Sequence, residues 1–189
     1  MKNLKNNKGY SLIELIIVIA IMAILTGLAS YTFGLIIKAK CQNASIEFNQ
    51  QIGNLWMQTK AVGNVDDNVC MMLKYAKDGD GKWQNELGIY KYDSGTPNDL
   101  ILLKDENGNE MTTQLTNRVK IEYIGSNPHV STTSDSTNVV LIQFNKSDGS
   151  VLFGEGEYEV YSYNQFTGNK GDLVATIFLD KETGNHYVK

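Results

Sequence analysis

The chain is poor in cysteine and histidine and has no surplus of positive charge. Cys41 and Cys70 are its only cysteines, too few for a disulfide scaffold and without the spacing of a metal site. His129 and His186 are the only histidines, and no Ser or Cys motif stands beside them. Gly-x-Ser-x-Gly is absent, so no catalytic constellation is on offer. A net charge of −4 argues against a nucleic-acid footprint of the basic-patch kind. The two aspartates of Asp78-Gly-Asp-Gly-Lys resemble a calcium loop, but Lys82 stands where the third oxygen ligand belongs. Neither a metal nor a cofactor is expected. Charge is also missing locally, since no side chain from Leu15 to Ile37 is charged.

That uncharged run is the most informative stretch. As a helix its 23 residues would be ~34 Å long, enough to cross a hydrocarbon core of ~30 Å. Glu14 stands at its mouth, with Leu12 and Ile13 before it and Leu15 and Ile16 after it. An ionisable group beside hydrocarbon is costly and points to function. Before it lies a short basic leader, MKNLKNNKG. A secretory signal places its apolar core ahead of the cut; here the candidate cut, after Gly9, precedes the core, so the apolar segment stays in the mature chain. Loss of Lys2, Lys5 and Lys8 takes the net charge from −4 to −7. The same lysines put the N-terminus in the cytoplasm and the bulk of the chain outside.

Ala20, Ala23, Gly27, Ser30 and Gly34 recur at spacings of 3, 4, 3 and 4. Such a stripe suits close packing of like helices in an apolar medium; the bland alternative is that small residues are common in membrane helices. Cys41, Ala44, Phe48, Ile52 and Leu55 then continue at 3-4-4-3 spacing, with Trp56 beyond and polar residues between. One helix is therefore expected from Tyr10 to Lys60, lipid-compatible in its first half, amphipathic in its second and ~75 Å long. Gly63 and Asn64 are plausible terminators.

Residues 61–86 read as a connector, with a short helix over 65–77 that turns Val69, Met72, Leu73 and Ala76 inward. Strands are expected at 87–92, 100–103, 111–115, 119–124, 139–144, 151–153, 158–163, 173–179 and 186–188. Glu106-Asn-Gly-Asn, Ser147-Asp-Gly and Asp180-Lys-Glu-Thr-Gly-Asn punctuate them as hairpin turns, and 126–137 reads as a polar surface loop. The fold class is α+β: a long N-terminal helix, its first half transmembrane and its second half packed on an antiparallel sheet. The segments are a leader (1–9), a span (10–37), an amphipathic continuation (38–60), a connector (61–86) and a sheet (87–189), with 38–189 as one globular domain. A Cys41–Cys70 disulfide would tie connector to helix, and only an extended connector at ~3.3 Å per residue could span the gap. Two free thiols are the alternative. Tyr158, Tyr161, Tyr163 and Phe166 suit cross-strand packing better than an adhesive surface.

Lys8-Gly9-Tyr10-Ser11-Leu12-Ile13-Glu14-Leu15 resembles the type IV prepilin signature, which pseudopilins of type II secretion and competence systems share. The resemblance is strong over residues 1–60. It implies that a prepilin peptidase cuts after Gly9 and methylates the new N-terminus at Tyr10. It implies that Glu14 is the family's glutamate, which serves assembly by meeting a neighbour's terminal amine. The chain's own Tyr10 amine, four residues away, is a second partner for Glu14, and snorkelling to the interface is the bland reading. Tyr10 replaces the family's usual Phe, and no proline kinks the helix near Tyr31. The function implied is structural, not enzymatic: a major or minor pilin of a type IV pilus, held in the cytoplasmic membrane with its head outside and later in an extracellular filament. Its partners would be the peptidase, further copies of itself, other pilins, the inner-membrane assembly machinery and, before assembly, the membrane. A pseudopilin and a signal-anchored binding protein are the rival readings.

Overall fold

A computed structural model of the chain describes residues 11–61, 69–77, 79–92, 100–125, 138–164 and 167–189. The expectations placed on the leader, Gly9, Tyr10, Gly63, Asn64, the 126–137 loop with His129, and Phe166 lie outside the described residues. The chain divides into two compact units, Met1–Ile37 and Lys38–Lys189.

Helix α1 runs over Leu12–Ala61 and contributes to both. In the first unit its side chains are exposed all round, from Leu12 to Ile36. Its two threonines are satisfied within the helix: the Thr26 and Thr32 hydroxyls donate to the carbonyls of Met22 and Leu28, at 2.7 and 2.9 Å. A segment so apolar, with so little of it covered, is long enough to cross a membrane.

In the second unit α1 is one-sided, as the spacing predicts. Cys41, Phe48, Ile52 and Leu55 are fully buried and Ala44 nearly so. The buried hydroxyls of Ser45 and Thr59 donate to the helix's own carbonyls at Gln42 and Leu55, so the face is apolar in effect.

Ten strands follow: β1 (Val69–Lys77), β2 (Trp83–Tyr92), β3 (Leu100–Leu102), β4 (Thr112–Gln114), β5 (Val119–Ile124), β6 (Asn138–Phe144), β7 (Val151–Phe153), β8 (Gly156–Asn164), β9 (Asn169–Leu179) and β10 (His186–Val188). They form two antiparallel sheets. The first is ordered β3-β2-β1-β6-β7, with β4 beside β3 on the edge of β2; the second is β10-β9-β8-β5. All nine expected strands are present. The correction is β1. Residues 69–77, expected as connector helix, are a central strand, and the sheet begins at Val69 rather than Leu87. Its first five residues are all buried because both faces of the strand are covered. Such a strand loses the period-two signature and cannot be told from a buried helical turn by pattern.

Both sheets contribute to the helix-facing core. Phe48 meets Tyr158 of β8 edge-on, with centroids 5.2 Å apart. Gln51 of α1 shares a cavity wall with Met71, Leu87 and Ile89 of the first sheet. The sheets are stitched together by Asn85 of β2, whose buried amide nitrogen donates to the Val119 carbonyl at 2.8 Å. Its oxygen accepts from the Ile121 N–H at 3.4 Å, so one side chain satisfies the outer edge of β5. At the far end of α1 the indole of Trp56 lies against the β6–β7 and β9–β10 turns. Gly184, at φ +67°, is required there: a Cβ would come within 2.2 Å of the Gly149 carbonyl and 3.2 Å of the Trp56 ring.

Candidate functional site

The apolar span opens on a capping box. Ser11 is the N-cap residue: its carbonyl accepts the first helical bond, from Leu15 N–H at 3.2 Å. Its main-chain N–H donates to Glu14 Oε2 at 2.8 Å, and its hydroxyl accepts from the Glu14 N–H at 3.3 Å. Each residue thus satisfies a donor that the helix start would leave orphaned. The carboxylate also lies at the positive end of the helix dipole. The S-x-x-E spacing ahead of an apolar run carried this signal in the sequence, and a reading centred on the charge of Glu14 passed over it. Among the described residues Glu14 Oε1 accepts nothing.

Of the small-residue stripe, Ala20, Ala23, Gly27 and Gly34 are exposed; the Ser30 side chain lies outside the described set. A carbon added at Gly27 or Gly34 would meet nothing within 4 Å. The described positions of the stripe are uncovered.

The model of the prokaryotic N-terminal methylation motif matches residues 4–30. The chain carries the type IV prepilin signature. The motif supports a type IV pilin-like or pseudopilin precursor, and a long apolar helix leading into an antiparallel sheet is a pilin-like arrangement. The signature is one of structural subunits rather than enzymes, and it implies processing by a prepilin peptidase and assembly with other pilins. It is consistent with membrane anchoring. The match ends at Ser30 and leaves the sheets uncovered. No curated protein and no solved structure matches the chain.

Cys41 and Cys70 are both buried, with no disulfide between them. Cys41 lies on the buried face of α1, where its thiol donates to the Arg118 carbonyl at 3.4 Å and burial raises its pKa. Cys70 packs with Met72, Val139, Leu141, Tyr90 and Leu100. Side chains alternate along β1, so Cys70 points away from the face that Met71 turns toward α1. The disulfide expectation fails because the sheet itself separates the thiols.

The tyrosines of β8 do not share one surface. Tyr158 is core, its hydroxyl donating to the Gly154 carbonyl at 2.6 Å and its pKa pushed well up by burial. Tyr163 stands edge-on to Tyr75. Tyr161 is on the outer face, under Lys170. His186 rests against α1 at Gly53, where a carbon would approach its Nε2 within 3.1 Å. Of the Asp78-Gly-Asp-Gly-Lys sequence, Asp78 lies outside the described residues, and Lys82 pairs with Asp80 at 3.3 Å. Among the described residues no cluster of His, Cys, Asp or Glu is built to hold a metal.

Proposed function

We propose that the chain is a structural subunit of a type IV pilus, polymerising through its N-terminal helix after cleavage between Gly9 and Tyr10. The observation that carries this is the methylation motif over residues 4–30, with Glu14 capping the start of an otherwise uncharged helix. A carboxylate leaving water for a helix bundle needs a cation. Cleavage creates one at Tyr10, and in a staggered bundle the amine of a neighbouring subunit reaches Glu14. The stripe from Ala20 to Gly34 supplies the close approach. Prepilin peptidase, other pilins and the inner-membrane assembly machinery are the partners in this reading. Before assembly the head stands outside the cytoplasmic membrane.

A pseudopilin of a secretion or DNA-uptake machine shares the same motif. Gold-labelled antibody against the head separates the two: surface filaments decorated along their length support the pilus subunit. Label confined to the cell envelope removes that reading in favour of the pseudopilin. Glu14→Ala separates both from a signal-anchored binding protein, since normal insertion with assembly lost fits a pilin and unchanged behaviour contradicts it.

A further inference from the structure

The two ends of the 38–189 unit differ in charge. At one end Lys60 donates to the Ser147 carbonyl at 3.2 Å, and Trp56 meets the turns that carry Asp148, Asp180 and Glu182. Asp148 feels the Lys60 charge and Lys181 pairs with Glu155 at 3.7 Å, so carboxylates and lysines are mixed at this end. The other end is where α1 enters the unit. There the Arg118 carbonyl accepts from both the Cys41 thiol and the Tyr163 N–H, the latter at 2.7 Å. Tyr163 touches Tyr75, Tyr75 stacks on Trp83 at 5.2 Å, and Lys77 lies over the Trp83 ring at 5.4 Å. Lys120 covers the Tyr75 ring, and Lys120 and Lys170 share Glu122 at 2.9 and 2.8 Å. Lys38 and Lys40 are exposed on the first helical turn beneath Cys41. Among the described residues, Lys38, Lys40, Lys77, Arg118, Lys120 and Lys170 thus outnumber Glu122, Glu159 and Asp172, while Lys82 and Asp80 pair together. In a chain of net charge −4 this local surplus of cations is notable, and it is interleaved with half-buried Trp83, Tyr161 and Tyr163.

We propose that this basic, aromatic end is a docking surface for anionic lipid headgroups of the bilayer that holds the span. Lysines beside an acidic leaflet are drawn to it, and Trp and Tyr favour headgroup depth. Lys38 follows Ile37, the last residue of the apolar run, so a span that ends there brings Lys38 and Lys40 to headgroup depth. Docking stores the subunit with its head on the membrane, and assembly has to release it. The inference rests on the reading that residues 10–37 span a bilayer.

The test uses the full chain with Trp56→Phe, which leaves Trp83 as the only tryptophan. It is reconstituted in vesicles of phosphatidylcholine, with or without one-third phosphatidylglycerol, that carry a headgroup-level nitroxide lipid. The expected result is Trp83 quenching several-fold stronger with phosphatidylglycerol and lost at high salt. Lys38→Gln and Lys77→Gln each lower the docked-to-free ratio about fivefold, the weight of one lysine at an anionic surface. Hydrogen exchange on the unsubstituted chain gives a second readout, with slowed exchange over 75–83 and 116–120 only in the anionic vesicles. Equal quenching and exchange in both vesicles, or indifference to salt, overturns the proposal. So does a chain that washes off the vesicles in carbonate. Decorated filaments together with lipid-indifferent quenching sink this inference alone; lipid-dependent quenching without filaments sinks the pilus reading alone.

Discussion

Ser11 and Glu14 satisfy each other: the Ser11 N–H donates to the Glu14 carboxylate at 2.8 Å, and the Ser11 hydroxyl accepts from the Glu14 N–H at 3.3 Å. The glutamate therefore has two separable duties, capping its own helix and meeting a cation. Glutamine caps a helix in this motif as glutamate does, but carries no charge. Glu14→Gln is expected to reach the membrane and be processed at wild-type levels, yet yield as little polymer as Glu14→Ala. Polymer recovered by shearing and sedimentation is the measurement. Wild-type polymer from Glu14→Gln would reduce Glu14 to a cap.

Asn85→Ala removes both bonds that hold β5 to the first sheet, leaving the Val119 carbonyl and Ile121 N–H without that partner. A loss of about 1–3 kcal/mol is expected for each buried group left unsatisfied. Denaturant unfolding of the head in the detergent-solubilised chain reads it. A shift under half a kilocalorie would mean that water or a neighbour replaces the amide.

The cysteines are expected to behave as two shielded thiols. Intact mass should be the same with and without reductant, and a thiol reagent should modify Cys41 and Cys70 only on unfolding. A species two mass units lighter before reduction would show that the residues pair after all.

Glu122 is held below its ordinary value of 4.5 by hydrogen bonds from Lys170 and then Lys120, with the charges of both lysines adding to the effect. A carboxylate with a depressed folded pKa binds fewer protons folded than unfolded. Its stabilisation is thus complete above about pH 4.5 and is lost as the pH falls through the lower, folded value. The wild type should exceed Glu122→Gln in melting temperature at neutral pH, and the gap should close in acid. A gap that persists at the acid end would assign the effect to packing.

How much was legible in the sequence depended on periodicity. The 41–55 spacing named the apolar residues of the buried face of α1 but not Ser45 beside them, because a helix with one wet side writes its apolar pattern at 3.6. Strands with one face exposed, such as β5, were equally readable. β1 was not, because a strand covered on both sides carries no alternation. The Cys41–Cys70 question turned on the same strand: read as connector, Cys70 could reach the helix, whereas in β1 it points away. The bond from Asn85 to β5 joins residues 34 positions apart, and no local pattern announces it. At the functional site the charge of Glu14 was visible at once, while the part played by Ser11 was overlooked although its spacing was present.

The central claim is that residues 10–37 enter the mature chain as a processed assembly helix, and the mass of the mature N-terminus tests it most directly. Mass spectrometry of protein from the native membrane or filament should find a chain beginning at N-methylated Tyr10, with residues 1–9 gone. A mature chain that keeps Met1 to Gly9, or begins after the apolar run, would contradict it.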